Sequence, residues 1–201
     1  MAPADEFRAF IEDYYRRFVE VLQAFEREPL EGVLDVFERV RDQGGTLWVA
    51  GNGGSAAISD HLICDTTKWT YLEGLPPVRS VSLVSNGPML TALANDFSYE
   101  EVFSRQLRYY LRPEDAVVLI SSSGNSPNVV AACRFAREKG VPTVAFVGFD
   151  GGELRKLADH VLWVPVDNYG MAEDTHQSLM HCLTQYMLHR AEKRRGSDQS
   201  A

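Results

Sequence analysis

Five short apolar segments alternate with segments of helical periodicity from residue 46 onward. Each apolar segment is followed by a turn that contains glycine, as is typical of buried strands. Strands that alternate with helices indicate a parallel sheet covered by helices on both faces. We therefore predict an α/β fold, a doubly wound five-stranded parallel sheet. The predicted strands are 46–50, 78–84, 116–120, 142–148 and 160–166, and the predicted helices among them are 55–66, 87–94, 99–110, 127–139, 152–158 and 172–193.

Two further helices are predicted before the first strand, at 4–26 and 30–43. In the first of them, aromatic and aliphatic residues recur at helical spacing over the whole length. Such a stripe is typical either of core packing or of an oligomer interface, and the sequence leaves both open. The predicted division of the chain is an N-terminal helical pair for oligomerisation (1–44), an α/β domain (45–194) and a disordered tail (195–201).

The composition excludes several classes of protein. The chain carries 20 basic and 28 acidic residues, a net charge of −8, and this balance disfavours a nucleic-acid partner. We see neither an apolar run of about 18 residues nor an apolar signal segment at the start, so we expect no membrane association and a cytoplasmic location. Cys64, Cys133 and Cys182 are expected to be buried, reduced thiols.

Two loops rich in glycine and hydroxyl groups follow the first and third predicted strands. They read GNGGS (51–55) and SSSGNS (121–126), and both lead directly into a helix. In open α/β sheets, ligands bind at the carboxyl ends of the strands, and backbone N–H groups at a helix N-terminus favour anions. Either loop alone could be a turn with good capping chemistry. Together they favour a phosphate ligand, with hydroxyl donors from Ser121, Ser122, Ser123 and Ser126.

A dinucleotide site fits this sequence less well. Residues 51–56 match the form G-x-G-x-x-A, but that fingerprint also needs an acidic residue about 20 positions further on, at the end of the second strand. Glu73 has the spacing and lies in a loop before that strand. No Walker A lysine is present either. The sequence therefore favours a small phosphorylated molecule over a nucleotide and disfavours a nucleotide-dependent oxidoreductase.

Two helices carry histidine and carboxylate residues that could meet at the same edge of the sheet. His61 and Asp65 are four positions apart, and Glu173 and His181 are eight apart, so each pair shares a helix face. Two imidazoles and two carboxylates suit zinc or another borderline divalent ion. Isolated histidines of this kind also occur as core or surface residues. His176, between the two positions on the last helix, is expected at the surface.

These motifs, GNGGSxxxxxH, a strand ending in SxSGNSxN and a C-terminal helix with a histidine, resemble the SIS (sugar isomerase) domain family. More narrowly they resemble the phosphoheptose isomerases, over nearly the whole chain and including NDFSYEEVFSRQL (95–107). The resemblance implies a flavodoxin-like sheet and an aldose–ketose isomerase that converts sedoheptulose 7-phosphate to D-glycero-D-manno-heptose 7-phosphate. It also implies a homotetramer with active sites between subunits and one zinc ion, or another divalent metal, in each.

The resemblance also assigns roles to residues. Asp65 would be the general base and His181 the general acid. The metal ligands would be His61, Asp65, Glu173 and His181. The substrate and phosphate contacts would be Asn52, Gly53, Gly54, Ser55, Lys68, Asp96, Ser121, Ser122, Ser123 and Ser126.

Four substitutions depart from the family pattern, and the first is Ala56, which stands where the family has a His after GNGGS. Asp65 stands where the family has Glu, Glu173 stands where it has Gln, and Trp69 with the neighbouring Lys68 stands where it has a substrate-binding Arg. They indicate a shifted substrate or reaction. The family also includes a non-catalytic member, so the alternative is a SIS module that binds a sugar phosphate or a protein such as the replication initiator. The presence of His61 and His181 favours the enzyme.

Overall fold

The computed structural model describes residues 3–198 and contains one five-stranded sheet in which every pair of neighbouring strands is parallel. The spatial order is β2-β1-β3-β4-β5. This is the flavodoxin-like order, and it confirms the predicted fold class. The strands are β1 (Thr46–Gly51), β2 (Arg79–Ser82), β3 (Ala116–Ser121), β4 (Thr143–Val147) and β5 (His160–Trp163).

The helices lie close to their predicted positions. Two short irregular turns interrupt them: Asp65–Trp69 is a π-helical turn that continues α3, and Tyr99–Glu101 is a 3-10 turn before α5. The last helix extends to Asp198, so the first residues of the predicted tail, 195–198, belong to this helix. The remaining tail residues, 199–201, lie outside the described chain. The helices are α1 (Pro3–Ala24), α2 (Pro29–Gln43), α3 (Gly54–Cys64), α4 (Gly87–Asp96), α5 (Val102–Tyr110), α6 (Pro127–Glu138), α7 (Leu154–Leu157) and α8 (Tyr169–Asp198).

Alternate residues of the strands enter two separate apolar cores, one on each face of the sheet. In β1, Leu47 packs with Phe37 of α2 on one face, whereas Trp48 packs with Phe103 of α5 on the other. Phe37 is fully buried, so α2 belongs to the same core as the sheet. The domain boundary predicted at residue 44 therefore lies between α2 and β1, whose side chains pack in one hydrophobic core.

Helix α1 packs differently from α2. Tyr14 and Phe18 lie partly buried against the core under the sheet. The outer face of the same helix exposes large apolar side chains, although burying each would be favourable by about 1.5–3 kcal/mol. These exposed residues are Phe7, Phe10, Ile11, Tyr15 and Val19. Along residues 3–198, no helix combines the length and the hydropathy that a membrane span requires.

The strand order reverses between β1 and β3, since β2 lies on one side of β1 and β4 on the far side of β3. Ligands of doubly wound sheets bind at this switch point, outside the carboxyl ends of the strands. The loops that follow β1 and β3 are GNGGS and SSSGNS. The fold thus brings the two predicted ligand loops side by side.

Candidate active site

The loop after β1 is shaped by a glycine. Gly53 has φ of 55°, in a region that L side chains rarely adopt, and it leads directly into the first turn of α3. Gly53 and Gly54 are exposed, and Gly53 supplies no side chain that would cap the helix. The backbone N–H groups at the start of α3 therefore face the open edge of the sheet, as an anion site requires. Ser55 is buried behind them.

The loop after β3 is held by hydrogen bonds of its own serines. The hydroxyls of Ser121 and Ser126 lie 3.2 Å apart, and the Ser123 hydroxyl accepts a bond of 3.2 Å from the backbone N–H of Asn125. Gly124 has φ of 64°, and a Cβ there would overlap the carbonyl oxygen of Gly151. The loop is thereby packed against the β4–α7 connection, which fixes the position of its hydroxyls.

The four serines of this loop differ in burial. Ser121 and Ser122 are both buried, at 4% exposure, whereas Ser123 and Ser126 are partly exposed. Ser126 occupies the N-cap position of α6, but its hydroxyl faces Ser121 and makes no capping bond. The Ser122 hydroxyl has no hydrogen-bond partner among the described residues. The assignment of these serines as phosphate contacts stays a prediction.

Asn52 links this pair of loops. Its side-chain amide exchanges two hydrogen bonds, of 2.9 and 3.0 Å, with the amide of Asn128 in the first turn of α6. The Tyr99 hydroxyl donates a further bond of 2.9 Å to Asn52 Oδ1. Asn128 is the last residue of the SxSGNSxN motif and Tyr99 lies in NDFSYEEVFSRQL, but the sequence assigned a role to neither, because nothing in the spacing of residues 52, 99 and 128 shows that they meet.

His61, Asp65 and His181 converge, although they come from opposite ends of the domain. They meet beyond the far end of α3, about three turns from Gly54, and not at the edge of the sheet where the ligand loops lie. The Nε2 atoms of the two histidines lie 3.5 Å apart, and each lies 3.5 Å from a different carboxylate oxygen of Asp65. Four ligands held tetrahedrally at about 2.1 Å from a zinc ion lie about 3.4 Å from one another. Each of the three side chains can offer one ligand atom within 4.8 Å of the others. The three residues therefore fit zinc in both spacing and chemistry.

Gln177, rather than Glu173, completes this cluster. The Gln177 amide nitrogen lies 2.6 Å from His61 Nδ1 and 3.2 Å from His181 Nε2. Gln177 is four residues from both Glu173 and His181, so the helical spacing that singled out the other two also included it. Its residue type was the reason for missing it, because an amide is a less common zinc ligand than a carboxylate.

Glu173 lies one turn away from the cluster, against the first loop. A Cβ built on Gly54 would overlap the Glu173 carboxylate, which places that carboxylate at the first residue of α3. Burial raises the pKa of Glu173, and the neighbouring charge of Asp174 raises it further. The prediction of Glu173 as a metal ligand is therefore not matched by its position in this structure.

The helix that carries Asp65 changes its winding at that residue. Cys64 is the last residue of α3 and Asp65 the first of the π-helical turn, and such turns are frequent at functional sites. Asp65 is 6% exposed, which places its carboxylate at the buried end of the cluster. Lys68 lies exposed in the same turn.

Asp96, which was also predicted to contact the substrate, is exposed at the end of α4 and accepts a hydrogen bond of 3.0 Å from Asn95.

His176 is fully buried, so the expectation of a surface position is wrong. Its ring packs edge-on against Phe146 of β4 with 5.9 Å between centroids. Within the described residues neither ring nitrogen has a hydrogen-bond partner of good geometry. Burial lowers the pKa of His176 to about 4, opposed weakly by the backbone of Val147. A neutral, buried ring of this kind is part of the core beneath the site.

Comparison with known proteins agrees with this geometry. The SIS domain model matches residues 12–148. The probable phosphoheptose isomerase of Thermoplasma acidophilum is 37% identical over 156 residues, which cover 78% of this chain and 85% of that protein. The phosphoheptose isomerase of Nitratidesulfovibrio vulgaris is 40% identical over 147 residues, 73% of this chain and 70% of the relative.

Solved structures give the same result. The phosphoheptose isomerase of Neisseria gonorrhoeae superposes with a TM-score of 0.83 at 28% identity, covering 90% of this chain and 98% of that one. A phosphoheptose isomerase from Francisella tularensis has the same fold, with a TM-score of 0.83 at 24% identity, over 93% of this chain and 98% of the other. The chain belongs to the SIS domain family and, within that family, to the phosphoheptose isomerases.

Proposed function

We propose that the protein is an aldose–ketose isomerase that converts sedoheptulose 7-phosphate to D-glycero-D-manno-heptose 7-phosphate. The observation that carries the proposal is the placement of Asp65 and His181. A carboxylate oxygen and a ring nitrogen lie 3.5 Å apart, about two to three helical turns along α8 and α3 from the first ligand loop. The relatives that share the family are named phosphoheptose isomerases.

The reaction moves one proton between adjacent carbons. Asp65 takes the proton from C1 of the open-chain ketose while His181 gives a proton to the carbonyl oxygen on C2, which produces a neutral 1,2-enediol. Asp65 then returns its proton to C2, and His181 takes the proton of the C1 hydroxyl as the aldehyde forms. The charges and protons of both residues are restored at the end. In deuterated water, the proton that Asp65 holds at the enediol stage can exchange with the solvent before it returns to C2.

The phosphate of the substrate is assigned to the second loop. Ser121, Ser123 and Ser126 offer hydroxyls there, next to the N-terminus of α6. The first loop is less suited to the phosphate, because the Glu173 carboxylate already lies against Gly54. We therefore place the carbonyl end of the sugar near the metal cluster and the phosphate end near the serines.

A zinc ion fits this site. His61 and one carboxylate oxygen of Asp65 would hold it, with the Gln177 side chain beside them, and His181 would be a third ligand whenever its Nε2 carries no proton. Bound zinc would supply a Lewis acid that polarises the sugar carbonyl. The two carboxylate oxygens of Asp65 face different histidines. One oxygen can therefore bind the metal while the other takes the proton from the substrate carbon.

We also propose a cytoplasmic homotetramer with its sites between subunits. The exposed apolar face of α1, which includes Phe7, Phe10 and Tyr15, supports an interface there. The three free cysteines are consistent with a reducing compartment, and phosphorylated sugars are made and used there. Sedimentation equilibrium and localisation of the tagged protein test these two assignments.

Turnover in deuterated water tests the reaction. The protein is incubated with sedoheptulose 7-phosphate and zinc, and the sugar is followed by proton NMR beside Asp65→Asn as the matched control. We expect the aldoheptose phosphate to appear with deuterium on C2, and to be absent with the control. Binding of the sugar phosphate without turnover by the wild-type protein would contradict the proposal and favour a non-catalytic binding module.

A further inference from the structure

A reciprocal pair of asparagine amides joins the two ligand loops. Asn52 Nδ2 donates to Asn128 Oδ1 at 2.9 Å, and Asn128 Nδ2 donates to Asn52 Oδ1 at 3.0 Å. Asn52 belongs to the loop after β1, whereas Asn128 lies in the first turn of α6, after the serine loop. Asn128 is 1% exposed, so its two bonds are shielded from water and hold the loops in a fixed relation.

The direction of every hydrogen bond in this group follows from one backbone N–H. The N–H of Val129 can only donate, and it lies 3.0 Å from the side chain of Asn128, which must therefore present its oxygen there. The nitrogen of the same amide then faces Asn52, whose oxygen accepts from it. The Tyr99 hydroxyl, 2.9 Å from that oxygen, must donate.

Within residues 3–198, the Asn52 amide is left with one N–H that has no hydrogen-bond partner. An amide oxygen accepts two hydrogen bonds and an amide nitrogen donates two. Asn52 Oδ1 is filled by Tyr99 and Asn128, and one N–H is given to Asn128. The side chain can therefore offer a ligand only a donor. A donor suits the phosphate, hydroxyl or carbonyl oxygens of a sugar phosphate.

We propose that Tyr99 is a positioning residue that holds the Asn52 amide with its free N–H directed at an oxygen of the bound sugar phosphate. The inference rests on the proposed function. Tyr99 lies in the 3-10 turn between α4 and α5, so it connects a third segment of the chain to the two loops. Its side chain is 55% exposed and the residue is not needed to fill a core. Its hydroxyl acts through Asn52 and has no part in proton transfer.

Replacing Tyr99 by Phe removes the hydroxyl and keeps the ring. A hydrogen bond of this kind contributes about 1 kcal/mol, so we expect the KM for sedoheptulose 7-phosphate to rise about fivefold. We expect kcat to change by less than about twofold, because a contact made equally in ground and transition states affects KM alone. Tyr109→Phe is the control, since Tyr109 is similarly exposed, at 58%, at the opposite end of the sheet. It should leave both constants unchanged.

A double-mutant cycle with Asn52→Ala separates positioning from a general structural effect. If Tyr99 acts through Asn52, Tyr99→Phe should not alter the KM further in the Asn52→Ala background. An equal rise in both backgrounds, an unchanged KM in the single variant, or a fall in kcat accompanied by a lower Tm would overturn the proposal.

The same cycle remains informative if the wild-type protein does not turn over the heptulose. That result would contradict the proposed function, and the cycle would then be measured by calorimetry as the Kd of sedoheptulose 7-phosphate. A weaker Kd for Tyr99→Phe that disappears in the Asn52→Ala background would support the role of Tyr99. An additive or absent effect would overturn it.

Discussion

His61 on α3 and His181 on α8 bring their Nε2 atoms to 3.5 Å from each other across 120 residues of sequence. Asp65 lies 3.5 Å from both rings. Two ring nitrogens and a carboxylate, each about 3.5 Å from the other two, match the spacing and the chemistry of zinc ligands, which is the physical reason to expect a metal here.

Replacing His61 by Ala should abolish stoichiometric zinc binding. The wild-type protein is expected to bind one zinc ion per chain and to gain thermal stability with increasing zinc, because a ligand of the folded state raises Tm. The variant should show neither effect. Metal analysis after dialysis and a zinc-dependent melting series measure both. His189→Ala, at an exposed histidine of α8, is the control and should behave as the wild type. Undiminished zinc binding by His61→Ala would contradict the site.

The parts of the site that sequence could predict are those fixed by local pattern. The alternation of strands and helices placed GNGGS and SSSGNS at one sheet edge, and helical spacing placed His61 beside Asp65. The contact of Tyr99 with Asn52 depends on how α4 and α5 pack on the sheet. No local pattern contains that information.

Replacing Gln177 should change the zinc affinity, whereas replacing Glu173 should not. Gln177 contacts both histidines, so Gln177→Leu should weaken zinc binding about tenfold by removing a group that orients them. Glu173 lies against Gly54, so Glu173→Gln should leave the zinc affinity near that of the wild type. Competition with a chromogenic chelator measures both affinities. Loss of zinc in Glu173→Gln would show that this carboxylate enters the cluster when the metal binds.

Ser126 and Ser122 form a matched pair within the second loop. Ser126 presents its hydroxyl beside Ser121 at the ligand edge, so Ser126→Ala should weaken binding of sedoheptulose 7-phosphate about fivefold, the value of one hydrogen bond. The Ser122 hydroxyl is buried and has no partner within residues 3–198. Ser122→Ala should therefore leave affinity unchanged and be neutral or stabilising by about 1 kcal/mol.

Calorimetric titration and urea unfolding distinguish the two serines. Asp65→Asn can serve as the background for the titrations, so that substrate is not consumed during the measurement. Equal losses of affinity in Ser122→Ala and Ser126→Ala would show that Ser122 turns toward the ligand when the site is filled. Unchanged affinity in both would reduce the loop to a turn without a role in binding.

The three cysteines should differ in reactivity, contrary to the expectation that all are buried. Cys64 and Cys182 are exposed, whereas Cys133 lies in the core on the α6 face of the sheet. Burial raises the pKa of the Cys133 thiol to about 11, with opposing effects from Thr143 and Arg137. Because the thiolate is the reactive form, Cys133 should remain unmodified by iodoacetamide at pH 8.5. Peptide mass mapping should find adducts on Cys64 and Cys182 in the native protein and on Cys133 only in urea.

The raised pKa also gives Cys133 a defined effect on stability. A thiol whose pKa is higher in the folded state contributes its stabilisation below the unfolded value of about 9 and loses it as the pH rises towards about 11. Cys133→Ala removes this titration, so the free energy of unfolding of the wild type should fall relative to the variant between those pH values. Urea unfolding of both proteins from pH 8 to 10.5 measures the difference. A constant difference across the range, or native modification of Cys133, would show that the thiol is accessible to water.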